Sequence, residues 1–230
     1  MIDVGVIGAM EIEVNFLSSM LENKKCESFC GVEFNTGSIY GKKIAIARCG
    51  IGKVFAAIAA TAMIAKFSPR LIVNTGVGGA LSKGLYPTDV VVAQKLLQHD
   101  MDTSALGDAK GLVSGINMIY FEADARASEI LLESAAALGI NARLGIVASG
   151  DKFIADRADK ERIISEFSAD ACEMEGAAIA QVAFVNKTPF AVVRAISDSA
   201  DEGSSMDYAS FLPIAAKNSG NLTLALIKAY

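Results

Sequence analysis

Two glutamates flank one methionine in the stretch CEMEGAAIA, residues 172–180. The other residues of this stretch are small or apolar, and the nearest cations along the chain are Arg162 and Lys187. Burying an unpaired carboxylate costs several kcal/mol. Glu173 and Glu175 therefore require partners from elsewhere in the chain or from a ligand.

Two further acidic residues lie within a few residues of the ends of predicted strands. Glu13 stands on the first turn of a predicted helix, and Asp198 follows the apolar run FAVVRAIS, residues 190–197. Either residue alone is also typical of a helix start or a turn. Together with Glu175 they form a set of carboxylates suited to acid–base chemistry. Arg194, inside the apolar run, is expected to pair with a carboxylate, because an unpaired buried arginine is costly.

Glycines follow four predicted strands, at Gly8, in 50–54, in 76–81 and at Gly150. Ligands of α/β proteins collect at the carboxyl ends of strands, and glycine lets the backbone approach a ligand closely. Neither 50–54 nor 76–81 has the full spacing of a phosphate-binding loop, and 76–81 contains no arginine. The four glycine sites together predict one ligand crevice rather than a phosphate cradle.

The composition excludes several classes of protein. Of 230 residues, 52% are apolar and 20% are charged, and the formal net charge is −5. This balance is that of a globular protein, and the lack of a basic run longer than two residues argues against nucleic acid. The longest apolar stretch, 54–65, is too short to span a bilayer of ~30 Å. Residues 1–9 lack the basic start of a signal peptide, so we expect a soluble, cytoplasmic protein without a membrane partner.

Metal and thiol chemistry are not indicated. The chain has a single histidine, His99, and no G-x-S-x-G motif for a serine hydrolase. The spacing of the cysteines is not that of a zinc site, so we expect reduced structural thiols and no metal. The cysteines are Cys26, Cys30, Cys49 and Cys172.

Apolar runs rich in β-branched residues alternate with alanine-rich helical patterns. We predict strands at 2–8, 42–50, 70–76, 89–97, 142–150 and 190–197. We predict helices at 11–23, 53–67, 123–138, 175–185 and 207–229. Continuous apolar strands between helices indicate a sheet covered on both faces, in a single α/β domain over residues 1–230. The segment 99–120 has no periodicity, which is typical of a functional or interface segment.

Six segments resemble the 5′-methylthioadenosine/S-adenosylhomocysteine nucleosidases, a hydrolase branch of the purine nucleoside phosphorylase superfamily. They span nearly the whole chain in the family's order, and their combination is highly specific. The resemblance implies a three-layer α/β/α fold with a central mixed β-sheet, a homodimer, and no metal or organic cofactor. The segments are GVIGAMEIEV (5–14), CGIGKV (49–54), VNTGVGGAL (73–81), ASGDKFI (148–154), EMEGAAIAQVA (173–183) and VVRAISDSAD (192–201).

The resemblance also implies an activity: irreversible hydrolysis of the N-glycosidic bond of the two named nucleosides, in methionine salvage, with 5′-deoxyadenosine as a further candidate substrate. Asp198 would be the general acid at adenine N7, oriented by Ser197, and Glu13 the base that activates water. Glu175 would bind the ribose hydroxyls, and Arg194 would help to hold the water and the glutamates. This chemistry needs an acid at the leaving group and a base at the water on the opposite side.

Further residues of the substrate pocket are implied by the same resemblance. Phe153 would stack on adenine, Met174 would lie against the ribose, and Glu173 would be a lesser contact in the wall. The remaining pocket residues are Ala9, Met10, Ile51, Val77, Gly78, Ile154 and Phe211.

The segment 99–115 departs from the family pattern. In many members an aromatic residue and a proline of this segment reach into the neighbouring subunit's site. The aligned residues here are Leu106 and Ser114, with Thr103 near them, so we expect an altered selectivity for the 5′-substituent. Val77 stands where serine is common, so contacts at that position would come from the backbone.

Three alternative functions stay open. A nucleoside phosphorylase would need arginines near the Gly8 and Gly76 loops, which have none, and Glu13 would repel phosphate. A futalosine-type hydrolase would use similar acid and base groups. A non-catalytic nucleoside-binding protein would not require both an acid and a base, so Glu13 and Asp198 argue against it.

Overall fold

The computed structural model describes residues 1–201 and 204–230 of the chain. The strands in these residues are β1 Val4–Gly8, β2 Glu22–Phe29, β3 Val32–Ile39, β4 Lys42–Arg48, β5 Leu71–Ala80, β6 Val90–Gln98, β7 Phe121–Glu122, β8 Ala142–Ser149, β9 Ala171–Glu173 and β10 Phe190–Asp198. The helices are α1 Glu11–Ser19, α2 Lys53–Phe67, α3 Ala125–Ala137, α4 Arg157–Phe167, α5 Gly176–Val185 and α6 Ser204–Ala229.

All these strands join one mixed sheet. β1 pairs in parallel with β4 and β5, and β5 pairs in parallel with β10. β10 is antiparallel to β6, β6 is parallel to β8, and β8 is parallel to β9, which returns to β5 in antiparallel pairing. Five strands therefore form a closed circuit, while β3 and β2 extend the other side of the sheet from β4.

Helices cover both faces of this sheet. Side chains alternate between the faces of a strand, and neighbouring residues of the central strands accordingly belong to different core clusters. Ile72 and Val192 pack in the cluster that contains residues of α2 and α5, whereas Val73 and Val193 pack with residues of α1, α3 and α6. This arrangement confirms the predicted three-layer α/β/α class with a central mixed sheet.

The edge hairpin was not predicted, and the helix before it is shorter than predicted. The sequence predicts a helix over 11–23, but α1 ends at Ser19 and the chain continues as β2 from Glu22. The β2 sequence, ENKKCESF, is polar and almost fully exposed, so it has neither strand alternation nor an apolar face. Its strand conformation depends on pairing with β3, which local sequence does not reveal.

Two further differences have a similar origin. α4 escapes prediction because its sequence, RADKERIISEF, buries only Ile163 and Phe167. The strand predicted at 70–76 continues to Ala80, although Gly76, Gly78 and Gly79 suggest a turn. These glycines stay extended because each pairs with a residue of β10. No helix in the described part of the chain is long and apolar enough to cross a membrane.

Asp170, which follows α4, ties three segments together. Its Oδ2 accepts a hydrogen bond from the Ile146 amide at 2.9 Å, and its Oδ1 accepts from Ser82 Oγ at 2.8 Å and from Arg143 Nη2 at 3.0 Å. Gly145, in β8, lies directly beneath this carboxylate. A Cβ at Gly145 would be 2.7 Å from Asp170 Oδ2 and 2.9 Å from its Cβ, so no larger residue fits without displacing Asp170.

Gly145→Ala is therefore expected to destabilise the fold by about 1–3 kcal/mol through overpacking, which lowers the melting temperature by roughly 2–12 °C. Differential scanning calorimetry measures the shift. Gly220→Ala in α6 is the matched control, since its Cβ would be 3.3 Å from the half-exposed ring of Phe16, which has room to yield. Equal melting temperatures for the two variants would contradict the proposed role of the close approach.

Candidate active site

A cavity of about 510 Å³ opens at the carboxyl ends of β1, β5, β8, β9 and β10. Strands from distant parts of the sequence end at this edge, so their following residues meet there. The lining includes most of the residues that the sequence predicts for a substrate pocket: Ala9, Met10, Glu13, Ile51, Val77, Gly78, Phe153, Ile154, Glu173, Met174, Glu175, Ser197 and Asp198.

Glu13 is held rigidly at the start of α1. Its Oε2 accepts hydrogen bonds from the amides of Ala9 at 2.8 Å and Met10 at 2.9 Å, and its Oε1 accepts from the Val77 amide at 3.1 Å. A Cβ at Gly76 would be 2.6 Å from Oε1, so glycine is needed for this approach. Burial raises the pKa of Glu13, although the charge of Arg194 and the three amides oppose the rise.

Arg194 and Glu173 form a buried ion pair beside the cavity. Arg194 donates to Glu173 Oε2 from Nη2 at 2.5 Å and from Nε at 3.1 Å, and it also donates to Asn74 Oδ1. Burial works to raise the pKa of Glu173, but Arg194 and the Ser149 hydroxyl hold it below its ordinary value. Glu173 therefore stays ionised, and the guanidinium is expected to act on the cavity through it, since Arg194 does not line the cavity itself.

Glu173 is more than the lesser wall contact that the sequence predicts. Its Oε2 also accepts hydrogen bonds from the amides of Glu175 at 3.0 Å and Gly176 at 2.7 Å, at the first turn of α5. These amides lack partners within the helix, and a carboxylate there is favoured by the helix dipole. The first glutamate of CEMEGAAIA thus caps the helix that begins after the second.

Glu175 lines the cavity at the N-terminus of α5. Its Oε1 accepts a hydrogen bond from the Gly52 amide at 2.8 Å. Burial, together with the charge of Glu173, raises the pKa of Glu175 to about 7, against the opposing charge of Arg194. This carboxyl therefore changes charge near neutral pH.

Asp198 ends β10 with both oxygens hydrogen-bonded. Ser197 Oγ donates to Oδ2 at 2.8 Å, and the Ala200 amide donates to Oδ1 at 2.9 Å. Burial raises the pKa of Asp198 despite these donors. A carboxyl of raised pKa at the cavity wall is suited to carry a proton and to donate it.

The outer wall contains an aromatic residue that the sequence analysis missed. Tyr208 meets Phe153 edge-on, with ring centroids 5.6 Å apart at 80°, and its hydroxyl lies 3.1 Å from Met10 Sδ. The predicted Phe211 does not line the cavity, because it lies almost one turn further along α6. Ser205 and Tyr208, three residues apart, share the face at the cavity. Other lining residues absent from the predicted set are Lys152 and Cys172.

The three residues predicted from segment 99–115 lie outside this cavity. Thr103 Oγ1 and Ser114 Oγ both donate to Asp108, at 2.7 Å and 3.2 Å. Leu106 is 84% exposed. Their contribution to the site of a neighbouring subunit stays a prediction.

The two cysteines nearest the cavity are poor nucleophiles. Burial raises the pKa of Cys49 to about 12, and burial also raises the pKa of Cys172. Since the thiolate is the reactive form, both remain thiols at neutral pH. The chemistry of the cavity therefore lies with its carboxyl groups.

Comparisons with known proteins agree with this geometry. The model of the phosphorylase superfamily matches residues 3–228. A 5′-methylthioadenosine/S-adenosylhomocysteine nucleosidase of Oceanobacillus iheyensis is 37% identical over 227 residues, which cover 98% of each chain.

Two solved structures are similar over nearly the full length. The nucleosidase of the same name from Neisseria meningitidis, in complex with methylthio-immucillin-A, gives a TM-score of 0.96 at 38% identity and covers 100% of both chains. A futalosine hydrolase of Helicobacter pylori gives 0.95 at 33% identity, covering 99% of this chain and 98% of that one. The chain belongs to the phosphorylase superfamily and, within it, to the family of 5′-methylthioadenosine/S-adenosylhomocysteine nucleosidases.

Proposed function

We propose that this chain is an N-glycosidase that hydrolyses 5′-methylthioadenosine and S-adenosylhomocysteine to adenine and the 5′-alkylthioribose. The observation that carries the proposal is the cavity in which Glu13, Glu175 and Asp198 each have a raised pKa while Glu173 is ionised. Binding a neutral nucleoside does not require such a set, whereas cleaving its glycosidic bond does.

Asp198 is the general acid in this proposal. As the bond between the ribose C1′ and the adenine N9 breaks, its electron pair moves onto the base. Protonation at N7 by Asp198 lets adenine leave as a neutral molecule. Ser197 and the Ala200 amide, which donate to the two carboxyl oxygens, then stabilise the carboxylate that remains.

Glu13 is the base. It removes a proton from a water molecule as that water attacks C1′, and the remaining hydroxyl becomes the anomeric hydroxyl of the released sugar. The three amides that hold Glu13 fix the direction from which water is activated. Arg194 assists because its positive charge opposes the rise in pKa of Glu13 and Glu175 and so favours their ionised forms.

Glu175 and the pocket walls bind the nucleoside. The carboxylate of Glu175 accepts hydrogen bonds from the ribose hydroxyls and stabilises the positive charge that develops on the sugar. Phe153 stacks on adenine, and Met174 lies against the ribose. In this proposal the enzyme acts in the cytoplasm, in methionine salvage, and it uses no metal or organic cofactor.

A homodimer completes the proposal. Ile51 lines the cavity and is 56% exposed, and the adjacent Val54 and Phe55 of α2 are 70% and 57% exposed. A second copy would cover this apolar face. Its 99–115 segment, in which Leu106 is 84% exposed, would reach the 5′ end of the nucleoside.

Two alternatives differ in their support. A phosphate ion at the 8–10 loop and the 76–77 backbone of β5 would meet the carboxylate of Glu13, and Arg194 is already paired with Glu173, so a phosphorylase is disfavoured. A futalosine-type hydrolase is favoured by the structural similarity to the Helicobacter pylori protein. That nucleoside therefore belongs among the substrates to be tested.

The wild-type chain is expected to release free adenine from methylthioadenosine in phosphate-free buffer. Asp198→Asn and Glu13→Gln are each expected to lower kcat by roughly 10²–10⁴-fold, because each removes a proton-transfer group. Chromatography of adenine measures turnover. Glu129→Gln, an exposed change on α3, is the control and should retain full activity. Near-normal turnover by Asp198→Asn would refute the acid assignment, and adenine release that requires phosphate would indicate a phosphorylase.

The pH dependence of kcat/KM tests the role of Glu175, since this ratio reports groups of the free enzyme. The proposed active form has Glu175 ionised. Burial raises its pKa to about 7, so kcat/KM should decline as the pH falls through about 7. In Glu175→Gln the maximum should be lower and this decline should be absent. An unchanged acid limb in the variant would assign the titration to another group.

A further prediction concerns selectivity for the 5′-substituent and follows from Leu106 and Ser114, where the chain departs from the family pattern. The kcat/KM values for methylthioadenosine, S-adenosylhomocysteine, 5′-deoxyadenosine and futalosine measure how the 5′ pocket discriminates. Leu106→Phe is expected to change the ratios among these substrates, while the cleavage chemistry that they share is unchanged. Ratios identical to wild type would mean that Leu106 does not reach the 5′-substituent.

A further inference from the structure

Lys160 is a cation on α4 that does not line the cavity. Its Nζ donates to the carbonyl oxygen of Ser199 and lies 3.8 Å from Asp201 Oδ2. The side chain is only 21% exposed. Ile163, three residues further and so on the same face of α4, packs in the apolar cluster that also contains Ala200 and Cys172. α4 is therefore fixed against the segment that follows β10.

The carbonyl that Lys160 contacts belongs to the same peptide group as the Ala200 amide. That amide donates to Asp198 Oδ1 at 2.9 Å, and Ala200 is fully buried. The Ser199–Ala200 peptide therefore accepts a hydrogen bond from the Lys160 ammonium at its oxygen and donates one to the Asp198 carboxyl from its N–H. Hydrogen bonds in such a chain polarise one another, so the ammonium strengthens the amide as a donor to Asp198.

Of the groups in the described residues that act most strongly on Asp198, none carries a positive charge. Burial raises the pKa of Asp198 most, and Asp207 on α6 adds to this rise. Cys172 on β9 and Tyr208 on α6 are neutral at pH 7, since burial raises the pKa of each. Ser197 and Ser204 contribute hydroxyl donors.

We propose that Lys160 is a positioning residue for the general acid: it orients the Ser199–Ala200 peptide and stabilises the carboxylate that Asp198 becomes after giving up its proton. The proposal rests on the proposed function, because it requires Asp198 to act as the acid. Lys160 does not contact the nucleoside. Its effect should therefore appear in proton transfer and its pH dependence, while the KM for the nucleoside stays nearly unchanged.

The test compares Lys160→Met, which keeps the length but loses the charge and the donor, with Lys160→Arg, which keeps both. Lys160→Met is expected to lower kcat for methylthioadenosine about 10-fold. The basic limb of its pH profile should move to higher pH, because the Asp198 carboxylate loses stabilisation. Lys160→Arg should restore both, and Lys217→Met, at an exposed lysine of α6, should match wild type throughout.

Lys160→Gln separates this role from a purely structural one. The glutamine keeps a donor for Ser199 without the charge, so it should recover part of kcat but not the basic limb. A reduced kcat with the basic limb of wild type, in Lys160→Met and Lys160→Gln alike, would overturn the proposal, as would wild-type kinetics. If wild type releases adenine, these results bear on Lys160 alone; if it releases none, the proposed function and this inference both fail.

Discussion

The buried ion pair between Arg194 and Glu173 is the interaction on which the site depends. A guanidinium inside a strand is costly to bury without a partner, and Glu173 is the carboxylate that compensates it. The same Glu173 oxygen accepts hydrogen bonds from the amides of Glu175 and Gly176 at the start of α5. Strand β10, strand β9 and helix α5 are consequently joined through one carboxylate, and the position of Glu175 follows from it.

The balance of charge around this pair explains how the carboxyl groups differ. Arg194 acts on Glu13, Glu173 and Glu175 together. One cation is not enough for three buried carboxylates, so the glutamate in direct contact stays ionised while the other two take up protons more readily. Asp198 has different neighbours: Ser204 and Asp207 of α6 act on it, and Arg194 is not among its main influences. The proposed acid, Asp198, and the proposed base, Glu13, therefore lie in different electrostatic surroundings within one cavity.

The elements that the sequence predicts correctly are those with a signal in their own residues. Apolar runs identify the central strands, and the glycines and carboxyl groups that follow them identify the cavity, since the carboxyl ends of these strands meet there. The edge strand β2 and the helix α4 were missed because neither has the apolar pattern typical of its element: β2 is polar and depends on pairing with β3, and α4 buries only two side chains. Tyr208 was missed for a different reason: which turns of α6 reach the cavity depends on how the helix packs, and Phe211 lies almost one turn beyond Tyr208. The contact of Lys160 could not be predicted, because the lysine donates to the backbone carbonyl of Ser199 and every residue type has such a carbonyl.

The closed circuit of strands has a consequence for the order of assembly. β5 lies between β1 and β10 in space, yet β10 follows β5 by more than a hundred residues in the chain. During synthesis one edge of β5 therefore stays open until almost the whole chain has emerged, and pairings of such long range form slowly. An open, apolar strand edge is also a template for association with other chains. The strand that carries Asp198 is thus the same strand that closes this edge, so a nascent chain acquires its proposed catalytic acid and its protection from aggregation in one late step.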